Sequence, residues 1–339
     1  MSEKTQKKIN SGLGVGPMSS EAIEAVFRYA HFHRRELMLI ASKNQIDWNG
    51  GYVNNWTTKE YMGYVVQMKK KYSYATVRIC RDHCGPGFNG INDLSDVYKT
   101  IEEDIQNGFD LIHVDLCHFH GSYDERLKES KKIIEHTLLL KPDIFLEIGT
   151  DENIGTNYSL SNIGEIEKEI DFFKSFCEPD FFVIQTGSLV RDNRQSGSFN
   201  KEFVEEASIL LKQKGLKLKE HNADYLSKEE ILLRKGIVDA LNIAPQLGVV
   251  QTQFVLNKCS IYGVDTTDFM EESYCGGKWK KWLDKNGYEN KLLCSMIAGH
   301  YHFTSDSYKK IIECLSKQED IQENIINMFM DLIGHYENK

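Results

Sequence analysis

Seven short apolar runs punctuate the chain, and each leads into a polar residue able to do chemistry. LMLIAS (37–42) leads into Lys43-Asn44-Gln45, VRIC into Arg81-Asp82-His83, LIHV into Asp115 and DIFL into Glu147. FFVI leads into Gln185, LKLKE into His221 and VDAL into Asn242. Short runs apolar on both faces are the pattern of parallel strands sandwiched between two layers. Segments of helical period separate them, several opening on a Ser or Thr N-cap such as Ser19 or Thr57. With a weaker first run at 11–16, the expected strands are 11–16, 37–42, 77–81, 111–115, 143–148, 181–185, 217–221 and 238–243. The intervening helices are expected near 20–35, 57–72, 93–107, 123–140, 161–177, 200–214 and 227–235, with an eighth from about 245.

Eight strand–helix units in about 245 residues match the size of a closed (β/α)8 barrel. An open doubly wound sheet is the competing architecture, but the chain carries no dinucleotide-binding fingerprint. The expected fold is therefore an α/β TIM barrel over 11–258, with a mostly helical C-terminal extension over 259–339 packed on it. Within that extension, 260–304 breaks the earlier rhythm with an aromatic- and Lys-rich stretch, ESYCGGKWKKWLDKNGYENK. Helices are expected at 305–317 and 319–336.

In such a barrel the C-terminal ends of all strands open on one rim, so residues two hundred positions apart meet in one bowl. Asp82-His83 is the sharpest local signal there, because an imidazole can hold a divalent metal while the adjacent carboxylate moves a proton. His221 and Glu147 add the ligand types of an open zinc site, making His83, Glu147 and His221 the expected metal set and Zn2+ the expected ion. Asp82 and Asp115 are the expected catalytic carboxylates. Ser42, Asn44, Gln45, Gln185, Asn222 and Asn242 offer hydroxyl and amide groups for a polyol. The stretches 149–156 and 186–198, the latter with Arg191, could take a phosphate through backbone N–H groups and guanidinium. His113, inside an apolar strand, reads as a satisfied core histidine.

Bulk properties narrow the class. The 339 residues are 41% hydrophobic and 27% charged with a formal net charge of −9, so nucleic acid and anionic membranes are not expected partners. No run approaches the length of a membrane span, the N-terminal stretch lacks a signal-like apolar region, and the eight cysteines form no CxxC pair. A reducing cytoplasm, with mostly buried and inert thiols, is the expectation. Cys80 and Cys84 are not read as metal ligands, since Cys84 is expected in the loop after the strand.

Six stretches, LMLIASKNQIDWNGGY (37–52), RDHCGPGF (81–88), LIHVDL (111–116), EIGTDE (147–152), EHNADYLS (220–227) and LNIAPQLG (241–248), carry a resemblance. Over about residues 13 to 250 the chain resembles the accessory, so-called non-catalytic subunit family of class II tagatose-1,6-bisphosphate aldolase, relatives of the zinc-dependent ketose-bisphosphate aldolases and of ketose 4-epimerases. The resemblance implies Asp82 as acid/base, His83 and His221 as metal ligands, Glu147 as the strand-five glutamate and Asn242 as a substrate contact. It departs at Gln185-Thr186-Gly187-Ser188, where a class II aldolase carries a further metal histidine; Glu147, Asp115 or a water would have to complete the shell. The chain is also shorter at its C-terminal end.

Three functions follow as expectations. The first is a metal-dependent lyase that cleaves a phosphorylated ketose through an enediolate, or, with the same retro-aldol chemistry, epimerises it at C4. The second is a silent subunit that stabilises an aldolase catalytic chain. The third, a Schiff-base aldolase using Lys43 or Lys219, is the weakest. The expected partners are a phosphorylated sugar and either a second copy of the chain or an aldolase catalytic subunit.

Overall fold

The computed structural model describes residues 8–150 and 162–337. Eight parallel strands close into a barrel: β1 (Leu13–Val15), β2 (Glu36–Ser42), β3 (Thr76–Cys84), β4 (Leu111–Val114), β5 (Phe145–Gly149), β6 (Phe181–Val183), β7 (Lys217–Glu220) and β8 (Ala240–Ile243). Each pairs with its sequence neighbours, and β1 closes on β8 through Leu13 opposite Leu241 and Val15 opposite Ile243. The closed TIM barrel, rather than the open sheet, is thus the architecture.

Helices α1 (Ser20–His33), α2 (Thr58–Lys71), α3 (Leu94–Gln106), α4 (Tyr123–Leu140), α5 (Ile163–Lys174), α6 (Lys201–Gln213), α7 (Lys228–Arg234) and α8 (Pro245–Tyr262) form the outer ring. Their starts are chemically specified: reciprocal Ser/Thr/Asn–Glu capping boxes open α2, α4, α5 and α7. After α8 come α9 (Thr267–Cys275), α10 (Lys291–Ala298), α11 (Asp306–Leu315) and α12 (Ile321–Glu337), with short 3-10 turns between them. α12 returns to the barrel. Glu323 pairs with Arg28 of α1, and the Tyr336 hydroxyl donates to the Ala223 carbonyl at 2.9 Å, just after β7. No helix among the described residues is long and apolar enough to cross a membrane.

Period-two alternation sorts each strand between two cores. Met38, Ile40, Cys80, Leu111, Phe145, Phe181 and Ala240 fill the barrel interior, with Ile9 packed among them. The intervening residues, such as Leu39, Ile79, Ile112 and Leu146, face the helices in the larger outer core. Two positions farther along each strand, the inward side carries Ser42, Asp82, His113, Glu147 and Asn242, so a polar layer sits above the apolar one. β3 runs on through Cys84, beyond its expected end, and its pairing with β4 shifts register between Arg81 and Cys84. Cys84 is therefore a buried strand residue, not a loop residue. Six of the eight thiols are buried, whereas Cys275 and Cys314 are exposed.

Arg81 points outward beneath the helices and is fully buried. It donates to both Asp104 oxygens at 2.6 and 2.7 Å and to the Ala41 and Ile46 carbonyls. Through these carbonyls the guanidinium ties the end of β2 to β3, next to Asp82. Removing its partner would leave a charge without compensation in the interior. Asp104→Leu is expected to lower unfolding free energy by roughly 3–5 kcal/mol, measured by urea denaturation; a loss below about 1 kcal/mol, the range of exposed pairs, would contradict this account.

Candidate active site

Asp82 and His83 are neighbours on one strand, so alternation alone would send them to opposite sides. The chain avoids this with a left-handed backbone at His83, φ 46°, coincident with the register shift. That conformation is costly for a residue with a Cβ, and it turns both side chains into the same bowl. Asn222, φ 55°, repeats the device after His221.

Four ligand-type side chains meet there. One atom from each of Asp82, His83, His113 and His221 lies within 4.8 Å of the others. The imidazole centroids form a near-equilateral triangle of 4.9, 5.2 and 5.4 Å edges. Asp82 contacts all three: Oδ1 is 3.4 Å from His113 Nδ1 and 3.7 Å from His221 Nε2, and Oδ2 is 3.9 Å from His83 Nε2. His113, expected as a core histidine, is fully buried but belongs to this cluster. A third imidazole thus joins His83 and His221, from β4.

Each histidine is anchored through one nitrogen. His83 Nδ1 meets Asp115 Oδ2 at 2.9 Å, His113 Nε2 meets the Gly149 carbonyl at 3.0 Å, and His221 Nε2 meets Glu147 Oε1 at 2.9 Å. A carbonyl only accepts, so His113 is protonated on Nε2, and its Nδ1 in turn accepts from the His83 backbone N–H. Such anchors fix the orientation of each ring.

The anchors reassign two expected residues. Asp115, expected to act on substrate, sits behind His83, nearly fully buried, and its other oxygen takes the Cys117 N–H. Glu147, expected as a metal ligand, has both oxygens occupied: Lys219 Nζ lies 2.5 Å from Oε2 and His221 takes Oε1. Both thus hydrogen-bond to imidazoles of the cluster.

Burial alone would raise the pKa of Asp82, Asp115 and Glu147, and at each of the three the neighbouring side chains outweigh it, whereas burial pushes Asp224 up to about 7. The three imidazoles hold Asp82 well below the ordinary range. His83 and His113 bring Asp115 down to about 2, and Lys219 with the histidines does the same for Glu147. Lys219 is held as an ammonium by Glu147, and Lys43 is buried between Asp47 at 3.0 Å and Asp96 at 2.9 Å. Lys219 therefore does not present the neutral amine that a Schiff base needs.

Above the cluster opens a cavity of about 210 Å³, continuous with solvent, lined by Ser42, Asn44, Gln45, Asp82, His83, His221, Asn222 and Asn242 among others. Asn242 is 3% exposed, and neither its amide nitrogen nor its amide oxygen has a hydrogen-bond partner among the described residues. Gln45 is partly committed, accepting from the Ser42 N–H at 2.9 Å. Gln185 and Arg191 do not line this cavity. The Gln185 amide closes a turn onto Gly187 N, and the Arg191 guanidinium donates to the Lys281 carbonyl. The stretch 186–198 folds as a small ribbon, Val190–Arg191 against Arg194–Gln195, with Gln195 bonded to the Asn222 and Asp224 carbonyls. Of the other expected phosphate stretch, 151–156 lies outside the described residues. The cavity wall also includes residues not anticipated: Met18, Tyr52, Phe88, Asp224, Lys281, Trp282, His300 and Tyr301.

The fold and this rim cluster define a (β/α)8 barrel with an Asp/His centre at the C-terminal ends of its strands. No family model matches the chain. Among solved structures it is similar to a probable tagatose 6 phosphate kinase from Sinorhizobium meliloti 1021, with a TM-score of 0.74 at 15% identity over 96% of this chain and 92% of that one. It is also similar to a fructose-bisphosphate aldolase from Campylobacter jejuni (TM-score 0.58, 14% identity, 90% and 89% covered). A third is the YdjI aldolase from Escherichia coli K12 (0.55, 13%, 91% and 93%). At these identities the likeness is one of fold: the chain has the barrel on which these aldolases are built.

Glu147 gives a pH expectation. Its pKa lies near 2 in the folded protein against an ordinary 4.5, so the folded state binds the proton less well than the unfolded one. The stability this contributes is complete above about pH 4.5 and is lost as pH falls towards 2. Glu147→Gln is expected to flatten the fall of the urea midpoint across that window; an acid limb as steep as in the unsubstituted protein would refute the assignment.

Proposed function

We propose that the chain is a divalent-metal-dependent enzyme that makes and breaks a carbon–carbon bond of a phosphorylated ketose by aldol chemistry. The observation that carries this reading is the convergence of three anchored imidazoles and one carboxylate beneath a cavity floored by an unpartnered amide. The donor set fits a first-row divalent ion such as Zn2+. Ligands about 2.1 Å from a tetrahedral ion lie about 3.4 Å apart, so the groups now within 4.8 Å of one another would close by about an ångström on binding it.

His83, His113 and His221 would hold the ion, with Asp115, the Gly149 carbonyl and Glu147 orienting them. When bound, the ion supplies Lewis acidity that polarises a ketone and its adjacent hydroxyl. Asp82 is kept ionised by its surroundings and is placed to take the hydroxyl proton whose loss starts retro-aldol cleavage. The Asn242 amide offers a donor and an acceptor to a sugar hydroxyl, and Asn44 and Asn222 extend that polar wall. Rotation of the aldehyde fragment before recombination would turn the same residues to epimerisation at C4. The aldolases among the similar folds support this chemistry, because a ketone and a proton in transit are what an imidazole–carboxylate floor serves. The names printed for two of the similar structures concern tagatose 6-phosphate and fructose bisphosphate, which supports a phosphorylated ketose as substrate.

The deciding measurement is metal content by mass spectrometry together with an assay on ketose phosphates and on dihydroxyacetone phosphate with aldehydes. Asp82→Asn is expected to keep the metal and lose turnover by a factor of about 10² or more. His83→Ala and His113→Ala are each expected to lose metal and turnover together. Asp115→Ala is expected to weaken metal affinity by about 10–100-fold. Turnover at the unsubstituted rate in Asp82→Asn would overturn the acid/base role. A metal-free, inactive protein that raises the activity of a separate aldolase would instead identify a silent subunit.

A further inference from the structure

Part of the cavity wall is not built by the barrel. Lys281, Trp282, His300 and Tyr301, all from the segment after α8, line the same cavity as Asp82, His83 and His221. Two glycines make room for this approach. A Cβ at Gly248 of α8 would stand 2.6 Å from His300 Cγ, and one at Gly299 would stand 2.5 Å from Thr252 Cγ2. Either contact is too close to tolerate, so the His300 ring is seated through the missing side chains.

The seated ring is chemically unfinished. His300 is 1% exposed, yet neither of its nitrogens has a hydrogen-bond partner among the described residues, and the buried Trp282 Nε1 has none there either. Buried polar groups are almost always satisfied, and leaving one unpaired is costly. Its near neighbours are aromatic: the Tyr301 ring lies 4.2 Å away, tilted by 35°, and the Tyr52 ring 6.0 Å away, centroid to centroid. Burial, with Lys281 and His302 nearby, pushes the His300 pKa down to about 3, so the ring is neutral and presents one donor and one acceptor. Lys281 supplies the charge. Its ammonium lies 4.4 Å from the Trp282 ring centroid and forms no ion pair among the described residues.

A neutral donor–acceptor ring, an indole N–H and an unpaired ammonium on one wall suit a group that is anionic and rich in acceptors. We propose that Lys281, Trp282 and His300 form the binding site for the anionic terminal group, phosphate or carboxylate, of the polyol whose keto end faces Asp82. This rests on the ketose reading above and names the part of the substrate that the C-terminal segment selects. It also transfers to this wall the role that sequence alone assigned to Arg191 and the 186–198 stretch.

The test is calorimetric titration of the full chain, metal-loaded, with the 6-phosphates of fructose and tagatose, the free ketoses and the corresponding ketohexuronates. At least one anionic form is expected to bind tenfold or more tighter than its free ketose, and Lys281→Met to remove about that factor, the usual worth of a hydrogen bond to a charged group. Whether the phosphate or the uronate gains more identifies the anion. His300→Leu is expected to weaken the same ligand by about tenfold, with His300→Gln recovering part of it, while metal content and melting temperature stay as in the unsubstituted protein. Free ketoses binding as tightly as the anionic forms, or Lys281→Met binding them undiminished, would overturn the proposal. Because binding is read without turnover, an inactive protein that still selects anionic sugars through Lys281 would overturn the aldol reading and leave this site standing.

Discussion

The throat of the barrel is organised by one buried ion pair, Glu147 on β5 with Lys219 on β7, 2.5 Å apart and shut off from solvent. Burying two charges is at best neutral for stability when compared with a well-packed apolar pair. What the pair secures is direction. With one oxygen held by Lys219, Glu147 has its other oxygen fixed to receive His221, and the imidazole then faces Asp82. The pair lies between the apolar plug of Phe145 and Phe181 and the polar layer of the bowl, so it sets the level at which packing ends and chemistry begins.

Most of the fold was legible because a strand covered on both faces must be apolar throughout, and few other structures require that of four to six residues. Asp82, His83, His221 and Asn242 could be located for the same reason, as the residues at which such runs end. His113 shows where this reasoning stops. Alternation placed it on the side away from Val114, and that side is indeed the barrel interior. The interior is not uniform, however: Leu111 at one level is core, and His113 two residues later is part of the centre. No local pattern distinguishes the two levels, because the boundary is set by how far each strand is staggered against its neighbours. Asp115 and Glu147 are likewise legible by position, but only the structure shows that their oxygens pair with His83, His221 and Lys219.

Lys281 and His300 were beyond the reach of strand-end reasoning altogether. They lie on no barrel strand and reach the mouth only because α8 carries Gly248 where the imidazole must pass. The break in rhythm over 260–304 marked the segment as unusual without revealing where it docks. Arg191 is the converse case. It was picked for its charge, but its guanidinium fastens the ribbon to the Lys281 carbonyl, which holds in place the segment that supplies the wall.

The return of α12 to the barrel has a consequence for biosynthesis. A nascent chain that has left the ribosome as far as β8 contains every strand and every imidazole of the Asp82 centre, but neither His300 nor Tyr336. The Tyr336 hydroxyl bridges the Ala223 carbonyl and the Gln246 amide, pinning the loop that follows His221. The geometry of that loop therefore becomes final only after nearly a hundred further residues have emerged, several seconds later at ordinary elongation rates.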